Sequence, residues 1–191
     1  MRESKNTLRV HSYLACSYAN GPSKRAVIWL QGCSKMCRGC FNPSLKDIKG
    51  GNKIAVKDIL KWLISLKDIE GISISGGEPT SQMPALLTLL KAVRKKTCLS
   101  VLVFSGYTIR KIQSMPGGNE LISLTDVLLD GPYDPEQSNP PGVWPSSKNQ
   151  KMHFLTRRYS ISDFSNLPIC EVIITQKGEV LQSGLLTYFL F

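Results

Sequence analysis

Three cysteines, Cys33, Cys37 and Cys40, stand within eight residues in a C-x3-C-x2-C spacing. Thiols this dense are hard to explain as packing, and thiolates are good ligands for zinc and for iron–sulfur centres. A closed structural zinc site needs four ligands, commonly two Cys-x-x-Cys pairs or added histidines. Cys16, Cys98 and Cys170 are isolated in the sequence, and His11 and His153 are its only histidines. A cubane of four irons and four sulfides has four iron corners, so three cysteines would leave one iron open to bind something. The spacing also differs from ferredoxin runs, which supply four cysteines. The cubane with an open corner is the preferred reading. A zinc knuckle completed by a distant ligand is the alternative. Cys98 and Cys170 border apolar stretches and read as small core residues; Cys16 has no assignment.

A second pattern is Ser75-Gly76-Gly77-Glu78-Pro79-Thr80, between a strand pattern and a helix pattern. Two glycines allow a ligand to approach the backbone closely. Glu78 is an acceptor that could hold an ammonium group. The same residues also read as a plain turn, with Thr80 or Ser81 capping the helix.

The elements that must position these residues alternate. Leu8–Leu14 and Ala26–Leu30 read as strands, the second running into Gln31-Gly32-Cys33. Val56, Ile59, Leu60 and Leu63 recur at helical spacing, which predicts an amphipathic helix over about 55–67. Gly71–Ser75 is a short strand. Leu86, Leu89, Leu90 and Val93 define a second helix, with Pro84 in its first turn and Arg94, Lys95 and Lys96 in its last. Val101–Phe104 is an apolar strand, and a short helix follows over about 107–114. Val127–Leu129 and Val172–Ile174 read as two more buried strands. Strand and helix in alternation predict an α/β fold on a parallel sheet with right-handed crossovers. There are too few strands for a closed eight-fold barrel, so the expected form is an open, partial β/α barrel. Ligands of such sheets sit at the carboxyl ends of the strands. The loops after Leu30, Ser75, Phe104 and Leu129 are therefore expected to share one site. Cys33–Asn52 and Gly131–Gln150 read as irregular.

The chain has 191 residues, which at roughly 150 per domain reads as a single domain over 1–191. Apolar residues make up 42% and charged residues 20%, which excludes global disorder. Eleven prolines and fifteen glycines exclude a coiled coil. The longest apolar runs, such as Val101–Phe104 and Leu185–Phe191, are too short to span a membrane. Arg9 and His11 interrupt the apolar stretch before Ala15, so no export signal is read and the expected compartment is the cytoplasm, where thiols stay reduced. The net charge of +10 suits acidic partners, and a reductant such as a flavodoxin is one. The basic residues, Lys24, Arg25, Lys57, Lys61, Arg157 and Arg158 among them, are scattered over the chain. They are not interleaved with aromatics, so nucleic acid is not the expected partner.

Together the two motifs resemble the radical S-adenosylmethionine enzymes. Within them the chain is similar to the glycyl-radical-enzyme activases, most of all the anaerobic ribonucleoside-triphosphate reductase activating proteins. Gly21-Pro22-Ser23-Lys24-Arg25 resembles the family's G-P-G-x-R segment. Gln31-Gly32-Cys33 and Gly39-Cys40-Phe41-Asn42 flank the cysteines as in that family, and Gly71–Pro79 has its G-I-S-L-S-G-G-[DE]-P form. Phe104-Ser105-Gly106-Tyr107, Asp130-Gly131-Pro132-Tyr133 and Asn149-Gln150 resemble three further segments. The likeness runs over about 7–158. Ser23 replaces a second glycine, Lys148 interrupts the segment before Asn149-Gln150, and residues 159–191 extend beyond the pattern; these departures bear on the protein substrate.

The resemblance implies that Cys33, Cys37 and Cys40 hold one [4Fe-4S] cluster whose open iron is chelated by S-adenosylmethionine (SAM). It implies that Gly39, Cys40 and Phe41 lie against the adenosyl part and that Gly76, Gly77 and Glu78 receive the methionyl amine. Ser105 and Asp130 are candidates for the ribose or sulfonium end, and equally a turn hydroxyl and a turn-initiating aspartate. The implied reaction is reductive cleavage of SAM to a 5′-deoxyadenosyl radical, which takes a hydrogen atom from a glycine of a large glycyl-radical enzyme. Gly131–Gln150, with Pro140-Pro141 and Trp144, is the expected contact for that partner. Two alternatives stand: a radical-SAM enzyme acting on another peptide or small molecule, and a metal-binding interaction module.

Overall fold

A computed structural model describes residues 5–35, 37–174, 178 and 180–184. The chain opens with strands β1 (Thr7–Ser17) and β2 (Arg25–Leu30). A long loop containing a 3₁₀ turn at Pro43–Lys46 leads to β3 (Asn52–Ala55) and helix α1 (Val56–Ser65). Strand β4 (Gly71–Gly76), helix α2 (Met83–Lys96) and strand β5 (Ser100–Phe104) follow. Two short helices, α3 (Ile109–Gln113) and α4 (Gly118–Ser123), precede β6 (Val127–Asp130) and β7 (Lys151–Phe154). Last come β8 (Cys170–Ile174) and β9 (Val180–Gly184).

Seven strands form one sheet in the order β3-β1-β2-β4-β5-β6-β7. The four strands β2, β4, β5 and β6 run parallel, and the flanking pairs are antiparallel. The protein is thus α/β with a mixed sheet around a parallel centre. Among the described residues no pairing joins β3 to β7.

The two faces of the sheet follow from the alternation of side chains along each strand. Leu8, Val10, Ala26, Ile28, Leu30, Ile72, Ile74, Val101, Val103 and Leu128 point to one face. There they meet the apolar stripes of α1 (Ile59, Leu60, Leu63) and α2 (Leu86, Leu89, Leu90, Val93). Each of the Leu, Ile and Val side chains contributes about 1.5–3 kcal/mol when fully buried. The alternate residues Leu102, Val127 and Leu129 pack on the other face against Phe164, with Trp144, Phe154 and Tyr159 around it.

That second face turns polar toward the amino ends of the strands, around Arg25, which is 0% exposed. Its guanidinium donates to Ser73 Oγ (2.9 Å), Ser100 Oγ (3.0 Å), Tyr159 Oη (3.0 Å), Pro22 O (3.1 Å), Ile72 O (2.8 Å) and Glu70 Oε2 (3.2 Å). Arg25 is therefore an internal cross-link, not one of the scattered surface cations that the sequence suggests.

Three further expectations are corrected. Val172–Ile174 is not a buried strand of the main sheet: β8 pairs with β9 in a separate two-stranded ribbon, with Val172 58% and Ile174 73% exposed. Cys98 is exposed rather than a core residue. The cap after β4 is Glu78, not Thr80 or Ser81: its side chain accepts from Thr80 N at the start of a 3₁₀ turn, Pro79–Gln82. The edge strands β3 and β7 carry too few apolar residues to read as strands. Among the described residues no helix is long and apolar enough to cross a membrane. The run Leu185–Phe191 lies outside the described residues.

Candidate cofactor site

The loops that leave the carboxyl ends of β2, β4, β5 and β6 meet in one cleft, as the parallel order requires. Its walls are Cys33, Cys37, Cys40 and Phe41 from the first loop, Ser75–Glu78 from the second and Phe104–Gly106 from the third. Leu129, Gly131, Tyr133 and Gln150 line it as well, and the first loop adds Lys35, Asn42 and Lys46. A larger hollow of about 400 Å³ at the opposite ends of β4 and β5, bordered by Glu70, Cys98 and Arg158, gathers none of the expected site residues.

The cysteine loop is held by its own return limb. Gly32 N donates to Leu45 O (2.9 Å) and Cys33 N to Lys46 O (3.4 Å). Gln31, 3% exposed, reaches across with Nε2 to Asp47 O (2.7 Å) and Ser44 O (3.2 Å). Gln31 is a positioning residue the sequence reading left without a role. Its signals in the sequence are a polar residue ending an apolar strand and its place in the Gln31-Gly32-Cys33 segment. On the outer side, Gly39 lies beside Pro135 and Tyr133, and the Phe41 ring packs on Tyr133 with centroids 4.3 Å apart and planes tilted by 45°.

The β4 turn is locked onto the same loop. Gly77 N donates to Leu30 O (2.8 Å) and Glu78 N to Gly32 O (2.9 Å). Gly76 has φ +108, and a Cβ there would overlap the Leu30 backbone; one on Gly77 would overlap Gly32 O. The glycines are required first by this approach of two chain segments.

Glu78 is 1% exposed. Its carboxylate accepts from Thr80 N (3.1 Å), Thr80 Oγ1 (2.7 Å), Ser105 Oγ (2.9 Å) and Gly106 N (2.8 Å). Three of these donors meet Oε1 and one meets Oε2, so the protein compensates the buried charge while Oε2 keeps room for a further donor. Glu78 thereby ties the β4 turn to the β5 turn. Ser105 serves the same knot, accepting from Tyr107 N (3.1 Å). Asp130 is buried on the helix side of β6: it accepts from Ile109 N and stands 3.1 Å from His153 Nε2, while its neighbours Leu129 and Gly131 line the cleft. Strand alternation separates Asp130 from the other expected residues.

The Cys33 thiol is pushed up from its ordinary pKa, first by burial and then by the negative groups Glu78, Cys37 and Cys40; a backbone hydrogen bond at Lys35 works the other way. All three thiols are free and partly accessible. Among the described residues no three His, Cys, Asp or Glu side chains converge as a single metal ion would need. A cubane asks for something else, one thiolate per iron around a shared cavity. Three reduced thiols on one cleft, crowded by negative groups, are a donor set that could hold it.

Residues 19–153 match the family described as a 4Fe-4S single cluster domain. The chain is thus an iron–sulfur cluster protein by family, and the match spans the whole cleft. A Vibrio cholerae anaerobic ribonucleoside-triphosphate reductase-activating protein is 31% identical over 157 residues, covering 78% of this chain and 99% of the relative. The Escherichia coli K12 protein of the same name is 28% identical over 155 residues, with the same coverage. The enterobacteria phage T4 one is 26% identical over 144 residues, covering 72% of this chain and 88% of its own. On this evidence the chain belongs to the family of anaerobic ribonucleoside-triphosphate reductase-activating proteins.

Proposed function

We propose that this chain is a radical-SAM activating enzyme that generates a glycyl radical on an anaerobic ribonucleoside-triphosphate reductase. The observation that carries the reading is the convergence of Cys33, Cys37, Cys40 and the Gly76-Gly77-Glu78 turn on one cleft. In this reading the chain is one domain, an open partial barrel of the radical-SAM type, working in the cytoplasm. Bound together, a [4Fe-4S] cluster and SAM supply one-electron cleavage of the sulfonium to a 5′-deoxyadenosyl radical.

The chain's own residues do the rest. Cys33, Cys37 and Cys40 would hold the cluster through three of its irons, and SAM would bind at the iron they leave open. Gly76, Gly77 and Glu78 receive the methionyl amine, Glu78 through Oε2, which holds a single donor. Gly39, Cys40 and Phe41 lie along the adenosyl part, and Tyr133 backs the Phe41 ring. Ser105 and Asp130 act through the turns they hold. No general base is needed. The cleft must keep the radical away from water, and the partner's loop closes it. A flavodoxin-like acidic protein supplies the electron.

The test is anaerobic reconstitution with iron and sulfide. About four of each per chain is expected, the stoichiometry of a cubane, with an electron paramagnetic resonance signal that SAM perturbs. Stoichiometric zinc without colour, or a cluster indifferent to SAM, would sink the reading. Added reductase should then show a glycyl doublet. If 5′-deoxyadenosine instead forms in proportion to a small molecule or short peptide, the substrate assignment fails and the radical-SAM assignment stands.

A further inference from the structure

Lys35 stands in the spacer between the first two cysteines and lines the cleft with them. Its ammonium nitrogen lies 4.0 Å from the centroid of the Tyr107 ring. Its stem lies flat on the β5 turn: a methyl built on Gly106 would fall 2.6 Å from Lys35 Cδ and 2.7 Å from Cε. That turn is itself fixed, since Gly106 N donates to Glu78 Oε2 at 2.8 Å. A flexible side chain is thus held at both stem and head, with a full positive charge at the face of an aromatic ring. The charges that bear on Cys33 are all negative, from Glu78, Cys37 and Cys40.

We propose that Lys35 is a positioning residue that raises the reduction potential of a cluster held by Cys33, Cys37 and Cys40, through an ammonium fixed on the Tyr107 ring. The inference rests on the function proposed above. Each thiolate adds negative charge, and reduction adds one more electron. A fixed cation stabilises the reduced state more than the oxidised one, and in a half-closed cleft its field is screened less than in water. The residue thereby eases the step at which the donor must deliver its electron.

The experiment is an anaerobic potentiometric titration of the reconstituted protein, with iron content measured beforehand. In Lys35→Met the reduced-to-oxidised ratio, at the potential that half-reduces the wild type, is expected to fall about tenfold, or about 59 mV for one electron. Lys35→Arg keeps the charge and is expected to recover the wild-type ratio to within about twofold. Gly106→Ala keeps every charge but pushes the lysine stem off the turn, so its ratio is expected to fall about threefold. Iron-replete Lys35→Met with the wild-type potential overturns the proposal. So does Lys35→Arg lowered as far as Lys35→Met, which would assign the effect to the stem's packing. If Lys35→Met does not retain iron, Gly106→Ala decides: an unchanged potential there overturns the proposal, and a lowered one supports it. If the wild type itself takes up no four-iron cluster, the proposed function falls first and this inference with it. If the wild type loads and responds to SAM while no variant shifts, only this inference falls.

Discussion

The two ends of the parallel strands solve opposite problems with the same sheet. At the amino end a buried arginine has six acceptors, and Arg158 adds an ion pair to Glu70 at 3.1 Å. At the carboxyl end three thiols share one cleft and remain free. The difference teaches how stability and chemistry divide. Groups that only hold the fold are satisfied by the protein, whereas groups kept for a ligand are left with bonding capacity. Glu78 marks the border, because it lines the cleft with Oε1 held by three donors, as in a structural residue, and Oε2 by only one.

The largest effect should come from the free end. Replacing any one of Cys33, Cys37 or Cys40 by Ala is expected to abolish stable cluster retention and all activity, because two thiolates cannot hold a cubane against loss of iron. Iron analysis and absorbance after desalting would check it; full retention in all three variants would erase the distinction between the ends. Next is Gly77→Val, which sets a side chain against Gly32 O and displaces the cysteine loop. Iron uptake should fall severely while the circular dichroism of the sheet persists.

Arg25→Met works at the satisfied end. It removes one partner from each of Glu70, Ser73, Ser100 and Tyr159 and should cost about 3 kcal/mol, the lower part of the range for breaking a buried pair, since Glu70 is one-third exposed and keeps Arg158. Denaturant unfolding reads the cost, and iron content per folded chain should not change. An equal loss of cluster would show that the two ends are coupled. The smallest effect concerns Tyr159, whose pKa is raised above 10.0, first by burial and further by its hydrogen bond to Glu70, against the opposing charge of Arg25. Its contribution is fully present below the unfolded value and is lost as pH rises beyond about 10, because the unfolded chain releases the proton first. Wild-type stability should therefore fall more steeply than that of Tyr159→Phe between about pH 9 and pH 11, as unfolding midpoints would show.

Much of the carboxyl end is legible in the sequence because its signals are local. Cys33, Cys37, Cys40 and Gly76-Gly77-Glu78 are short motifs, and β2, β4, β5 and β6 are apolar runs ending just before them. What stays hidden is long-range. Nothing near Arg25 announces that Tyr159, 134 residues away, will close over it. Val172–Ile174 has the same apolar run as a core strand, and such a run does not say which sheet it joins. Asp130 has the composition of a ligand, but its place one residue out of phase with Leu129 and Gly131 turns it to the helices. Gly77 carries the right identity for a different reason, since the space beside it is filled by the cysteine loop.

The β8–β9 ribbon is attached to the body through Glu171, which accepts from Ser17 Oγ and Tyr18 N, and through Asn20 Nδ2 donating to Ser183 Oγ. Beyond those attachments it presents Val172, Ile174 and Val180 to solvent on strands with no other pairing among the described residues. The consequence is colloidal. A net charge of +10 keeps copies apart while its field reaches about 10 Å, at 0.1 M salt. In concentrated salt the reach shrinks to about 3 Å, and the open strand edges then govern encounters between copies. Purification in high salt should therefore shorten the solution lifetime of this chain, and dilution into low salt should restore it.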